Sequence, residues 1–319
     1  MRILKRNTLR CSPNEDTRQL WSESTTRFVS TETRLISNAS IYSAMSSLKK
    51  DQQFEAWNHI CSLTVQGGSV RMIQEVISKR SIMMWSTCMS RSSAIIHNFA
   101  LKALQSQLPT AANLVRWKRI PHGECTLCGG TKPQTNKHVL SNCGSPVALA
   151  RYKGRHNGIL VLLATWLRSV LKTGQSLYAD LDSSNFLPVR DLFNSSQPDL
   201  AVMDSTSVYT WELTVCHESN MIASKLYKEN KYRLLRSDIS SVVGGRNLLT
   251  HTVEISTLGF VSDTEKFKKA IGVLNIPNDL INAIAAQALR SSFSIYCDRN
   301  NANTSEISTP LIITPTLST

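Results

Sequence analysis

The chain lacks any long apolar run. Its longest, residues 159–167, is nine residues and includes Thr165, whereas a bilayer-spanning helix needs about 18–20. No transmembrane helix is therefore expected. The opening residues, MRILKRNTLRCSPNED, have no apolar centre, so no secretory signal is expected either. Cysteines lack the dense, regular spacing of a secreted disulfide scaffold: three of the eight cluster within 19 positions and five are scattered. An intracellular, nuclear protein is expected. Acidic residues are scarce, at 23 Asp and Glu against 36 Lys and Arg, which gives a formal net charge of +13 and a pI near 9.5. Such a chain suits a polyanionic partner. Nucleic acid leads, with an acidic membrane or plain solubility as the alternatives. What is present is enough for a core: 41% of the 319 residues are apolar, which excludes wholesale disorder.

The patterning divides the chain. Residues 1–38 are rich in Ser, Thr, Arg and Glu without an apolar period, and residues 300–319 are Ser/Thr-rich with two prolines. Both read as disordered. Residues 39–120 are helical, as in Ile73, Val76, Ile77 and in Ile96, Phe99, Ala100, Ala103, Leu104. Gly67-Gly68 breaks this stretch and Pro109 ends its last helix. Residues 121–173 hold the cysteine cluster and a following helix over about 155–172. A polar, irregular stretch then marks a domain boundary near residue 174.

Beyond it, residues 198–203 and 208–216 are short, β-rich segments around an Asp204-Ser-Thr-Ser207 loop and read as a hairpin. A helix over 219–236, a strand over 251–261 and a final helix from about Asn278 follow. Ser262-Asp-Thr-Glu265 has capping-box spacing, with Phe267, Ile271 and Leu274 in helical period behind it. The expected fold is α+β. A helical segment with a small zinc knuckle precedes a small α/β domain, residues 174–299, with a mixed sheet flanked by helices.

Cys125 and Cys128 (CTLC) are followed by His138 and Cys143. Three thiolates and an imidazole at knuckle spacing suit tetrahedral Zn²⁺. Gly129-Gly130 permit the tight turn that wraps two sulfurs around one ion. Four protein ligands leave no open position, so the ion would be structural. Reduced cysteines without metal are the alternative.

The second constellation is Pro198-Asp199, twelve residues, then Glu212. Across a hairpin the two carboxylates can meet and bind a hard cation such as Mg²⁺ or Mn²⁺, which polarises a phosphate and acidifies water. Restriction-type nucleases carry a lysine two positions after the second acid; here Thr214 stands there. Lys225, Lys228 and Lys231, with Tyr232, lie on one face of the next helix and could supply a migrated lysine. A solvated helix face is the bland reading. Arg151, Lys153, Arg155 and His156 (RYKGRH) read equally as a phosphate contact or a solvated helix start. Tyr178-Ala-Asp180-Leu-Asp182 reads as coincidence with a polymerase box, and His217-Glu218 beside Cys216 has no third partner to orient it.

CTLCGGTKPQTNKHVLSNC with RYKGRHNGIL resembles the zinc knuckle and adjoining helix of non-LTR (LINE-type) retrotransposon polyproteins. IIHNFALKALQSQLPTAANLVRW is similar to their post-polymerase helical segment, and QPDL, WELTV, KLYKENKY and TVEISTLGFV resemble their restriction-like endonuclease. The likeness covers roughly residues 45–299. It implies zinc on Cys125, Cys128, His138 and Cys143, and a divalent metal on Asp199 and Glu212. It also implies Lys228 as the catalytic lysine, Lys231 and Tyr232 as the family's K-Y pair, and the RYKGRH segment against nucleic acid. Glu254 matches an acid without an assigned role. The polymerase is missing from this chain. The resemblance therefore implies an endonuclease that nicks target DNA for target-primed reverse transcription. Its partners would be DNA, element RNA and the polymerase part of the parent polyprotein, and no membrane. A catalytically inactive, zinc-stabilised nucleic-acid-binding fragment is the alternative.

Overall fold

A computed structural model describes residues 28–29, 35–36, 41–181, 198–239, 246–262 and 276–303. Most of the expected N-terminal and C-terminal disorder, the expected capping box beyond Ser262 with its helix, Pro188 and Asp182 lie outside the described residues. The chain forms two compact units, Met1–Gly67 and Gly68–Thr319. In the first, β1 (Phe28–Val29) pairs antiparallel with β2 (Leu35–Ile36), and α1 (Ile41–Ser62) follows.

The second unit begins with four helices: α2 (Gly68–Val76), α3 (Lys79–Ser90), α4 (Ala94–Leu104) and the short α5 (Ala111–Arg116). Their buried residues Ile73, Ile77, Met89, Phe99, Ala100 and Ala103 form one apolar cluster with Leu258 and Phe260. The helical period in the sequence is thus a buried stripe. Helix α4 ends five residues before Pro109, at a left-handed Ser106 (φ 54).

Helix α6 (Pro146–Val170) starts well before the expected residue 155. Ser145 caps it by accepting a hydrogen bond from the Ala148 N–H (3.2 Å), and Pro146 takes the first helical position, where a missing N–H costs nothing. The β3 strand (Ser176–Ala179), β4 (Leu200–Met203), β5 (Ser207–Cys216) and β6 (Asn247–Ser256) form one sheet in the order β3-β4-β5-β6. The first two pairings are antiparallel and β5–β6 is parallel, joined across helix α7 (Met221–Ile239). The sheet is mixed, as expected. Strand β3 falls where irregular chain was expected.

Alternation along β4, β5 and β6 sends Leu200, Val202, Trp211, Leu213, Val253 and Ile255 to one face. There they pack on Ile159, Leu163 and Leu167 of α6 and on Leu280, Ile281 and Ile284 of α8 (Asn278–Cys297). The other face carries Thr210, Glu212, Thr214, Glu254 and Ser256, beneath α7.

The boundary expected near residue 174 does not separate two cores, because α6 packs on the sheet. The helical segment is tied in as well. Trp85 donates its indole N–H to the Leu258 carbonyl (2.7 Å) and stacks on Phe260 at 4.5 Å. Gly259 is left-handed at φ 88, and a β-carbon there would lie 2.5 Å from the Ala285 carbonyl oxygen, so only glycine lets this turn touch α8.

Candidate metal centre and candidate active site

Cys125, Cys128, His138 and Cys143 come together, with one donor atom from each and all four within 4.8 Å of one another. Cys125 Sγ lies 3.9 Å from Cys143 Sγ, and Cys128 Sγ lies 3.6 Å from His138 Nε2. A Zn–S bond of about 2.3 Å and a Zn–N bond of about 2.0–2.1 Å require tetrahedral edges of roughly 3.8 and 3.6 Å. The donor set therefore fits a metal ion such as zinc. Gly129 and Gly130 both have positive φ (69° and 75°) and turn the chain, closed by a Gly130 N–H to Cys125 carbonyl bond of 2.9 Å. His138 heads a π-helical turn, His138–Asn142, that also delivers Cys143. Burial pushes the Cys125 thiol up to about 11, a cost that a cation among the sulfurs would oppose.

Helix α6 clamps this loop. The Tyr152 hydroxyl accepts from the Cys143 N–H (3.2 Å) and donates to the Val139 carbonyl (2.8 Å). Arg155, 2% exposed, donates to the Leu140 carbonyl and to Ser292 Oγ on α8, both at 2.9 Å. Burial pulls its guanidinium down to about 10, so it stays charged at neutral pH. Arg151 donates to the Asp298 and Asn301 carbonyls (2.7 and 2.9 Å) at the end of α8, where a helix's negative pole favours a cation. The expected nucleic-acid role of Arg151 and Arg155 is therefore corrected. Their donors are used inside the fold, because the run is the second and third turn of α6 and not its exposed start. Lys153 is exposed.

The acids sit at the far end of the hairpin. Leu200 pairs with Trp211, and Asp199 lies one residue beyond the end of this ladder, close enough to Glu212 for its charge to raise that carboxyl. Asp199 is held on both oxygens. Oδ2 accepts the Leu213 N–H at 2.6 Å, and Oδ1 lies 3.4 Å from His156 Nε2. His156 thus belongs to this site and not to a basic surface, a second correction to the RYKGRH reading. Burial depresses its imidazole, but the hydrogen bond and charge of Asp199 outweigh this and the net shift is upward.

Glu212 is 2% exposed and pairs with the Lys228 ammonium from α7. Burial, then the Asp199 charge, raises its carboxyl against the opposing pull of Lys228 and Lys231. Lys231 is thus within electrostatic reach. Tyr232 lies on α7, its side chain outside the described residues. Glu254 faces α7 two positions past the Glu212 partner, with Oε2 accepting from Ser262 Oγ (3.1 Å).

One neighbour of the acids escapes the sequence reading. The Asp180 N–H donates to the Asp199 carbonyl (2.9 Å), so the register of β3 and β4 sets exposed Asp180 beside Asp199. His217 and Glu218 do find partners, for Glu218 accepts from Thr257 Oγ1 and the Leu258 N–H (both 3.2 Å) and braces the turn after β6. No protein-family model matches the chain, and no curated protein matches it. Among the described residues no helix is long and apolar enough to cross a membrane.

Proposed function

We propose that this chain is a metal-dependent DNA endonuclease of the restriction-like kind. In this reading it is the C-terminal part of a non-LTR retrotransposon protein, with a structural zinc knuckle and a nuclear DNA target. The observation that carries the reading is that Asp199 lies at the end of the β4–β5 hairpin, held by the Leu213 N–H next to Glu212 in the chain, while Lys228 reaches Glu212 from α7. Two close carboxylates and an ammonium are the donor set for one hard divalent cation and one anionic transition state. Asp199 and Glu212 would hold Mg²⁺ or Mn²⁺, which would supply Lewis acidity to a phosphate and to a water.

The chain's own groups do the rest. The Leu213 N–H and His156 fix the plane of the Asp199 carboxylate. Lys228, drawn to Glu212, faces the charge that grows on the phosphate oxygens. The water oxygen bonds to phosphorus, the bond to the 3′ oxygen breaks, and that oxygen takes a proton. A free 3′ hydroxyl and a 5′ phosphate remain. The 3′ end would then prime reverse transcription by a polymerase supplied elsewhere.

The test is nicking of supercoiled plasmid in Mg²⁺ or Mn²⁺. Asp199→Ala and Glu212→Ala are expected to abolish it in chains with unchanged circular dichroism. Nicking that survives both changes overturns the reading.

A non-cutting, nucleic-acid-binding module is favoured instead by Lys228 already neutralising Glu212 while Thr214 stands where restriction-type nucleases carry their lysine. Salt-sensitive DNA binding without cleavage in either metal would select that alternative.

A further inference from the structure

The net charge is confined to one stretch. Residues 76–179 hold fourteen of the 36 Lys and Arg but only one, Glu124, of the 23 Asp and Glu, so they carry the whole formal +13 and the rest is neutral. Eleven of these fourteen cations are exposed. Most of this charge therefore faces outward.

It is densest at the end of α5, where Arg116, Trp117, Lys118 and Arg119 are all exposed in succession. The Arg116 guanidinium lies 5.9 Å from the centre of the Trp117 ring. The opposite end of this short helix abuts the knuckle, since Gln134 of the knuckle loop accepts from the Ala111 N–H through Oε1 (3.0 Å) and from the Ala112 N–H through its carbonyl (3.3 Å).

The backbone here is costly. The Lys118 N–H donates to the Val115 carbonyl and the Arg119 N–H to the Leu114 carbonyl, both at 2.8 Å, which is the Schellman pattern. Lys118 occupies its left-handed position at φ 58, where glycine is favoured because a β-carbon crowds the next carbonyl. A cation near a helix C-terminus gains from the dipole, but Arg116 and Arg119 supply that without the left-handed penalty. A strained lysine flanked by arginines and an exposed indole is an outlier that points to use.

We propose that residues 116–119 are a contact for single-stranded nucleic acid, in which Trp117 stacks on a base and Arg116, Lys118 and Arg119 neutralise the flanking phosphates. The charge is spread over several helices and the knuckle loop, as a polymer of phosphates requires, and not along the one amphipathic helix that a lipid surface would favour. A base face is free to stack on an exposed ring in unpaired strands. The proposal extends the nucleic-acid side of the reading above but does not depend on strand cutting.

The test is fluorescence anisotropy of labelled (dT)20 with the full chain, without added Mg²⁺ or Mn²⁺, over a salt series. Arg116→Gln/Lys118→Gln/Arg119→Gln is expected to reduce the salt slope by about 2, at roughly 0.7 per contact on a single strand. Trp117→Ala should weaken binding about 5- to 150-fold. Lys118→Gly separates this role from a structural one. It should raise the melting temperature by roughly 2–4 °C while weakening binding and lowering the slope by about 0.7. Wild-type affinity and slope in the triple variant overturn the proposal. So does a wild-type preference for duplex over (dT)20, or binding to phosphatidylserine vesicles with none to (dT)20.

Discussion

Removing Lys228 should destabilise the chain in a pH-dependent way. Glu212 is 2% exposed, and the ammonium that pairs with it is 23% exposed. Breaking a buried pair from one side leaves an uncompensated charge and costs about 3–5 kcal/mol. Because Lys228 itself reaches solvent, the lower end, about 3 kcal/mol, is expected for Lys228→Ala at pH 8. The Glu212 carboxyl is already raised by burial and by Asp199, and losing Lys228 raises it further. The folded chain then holds a proton that the unfolded chain releases. Stability must therefore fall as pH climbs above the ordinary glutamate value of 4.5, by up to about 1.4 kcal/mol per pH unit until the folded value is passed. Below that ordinary value the carboxyl is neutral in both states and the penalty disappears. Urea denaturation of wild type, Lys228→Ala, and Lys228→Ala with Glu212→Gln at pH 4.5 and pH 8 reads this directly. The double variant should recover most of the loss at pH 8. A single-variant cost under about 1 kcal/mol at pH 8 refutes the reasoning. An equal cost at both pH values refutes it too.

Four further outcomes are expected. The purified chain should carry one zinc by mass spectrometry of the metal, and Cys143→Ser should lose it and lower the melting temperature by roughly 10 °C or more. Arg155→Met should cost about 3 kcal/mol in urea, since the Leu140 carbonyl and Ser292 lose their donor, yet leave the salt slope of nucleic-acid binding unchanged. Gly259→Ala should cost about 3 kcal/mol in thermal unfolding, from its positive φ and the carbonyl 2.5 Å from a new β-carbon. His156→Leu should weaken Mn²⁺ binding, followed by electron paramagnetic resonance, about tenfold, with His156→Gln restoring most of it.

Locality decided what the sequence made legible. The knuckle could be read because its four ligands lie within 19 positions and zinc chemistry fixes their type. The helices showed in their apolar period, and β5 in its run of Val, Tyr, Thr and Trp. The acids were visible as a spacing. What holds Asp199 is not: His156 is 43 positions away, and no local pattern announces that pairing. Strand β3 is four residues long beside a polar segment, too short for alternation to speak. Arg151 and Arg155 read as superficial only if the helix starts near residue 155, whereas Ser145-Pro146 is the helix-start signal that places both in its interior turns. Lys118 could not be foreseen as left-handed, since a lysine gives no such sign.

Helix α6 explains why a division into knuckle and sheet domain fails. Tyr152 and Arg155, three apart on one face, hold the carbonyls of Val139 and Leu140 in the knuckle, and Arg155 also bonds Ser292 of α8. The very next residue, His156, reaches Asp199 and the Leu213 carbonyl at the end of the sheet. Within five residues one rigid element is thus fastened to the metal loop on one side and to the candidate acid site on the other. Arg155 has no water to retreat to, so a loosened knuckle would leave a buried cation short of an acceptor. Tilting α6 to relieve that would move His156 away from the carboxylate it orients. Binding metal at the four-residue cluster therefore stabilises more than its own loop, because it holds the helix from which the acid site takes its aim.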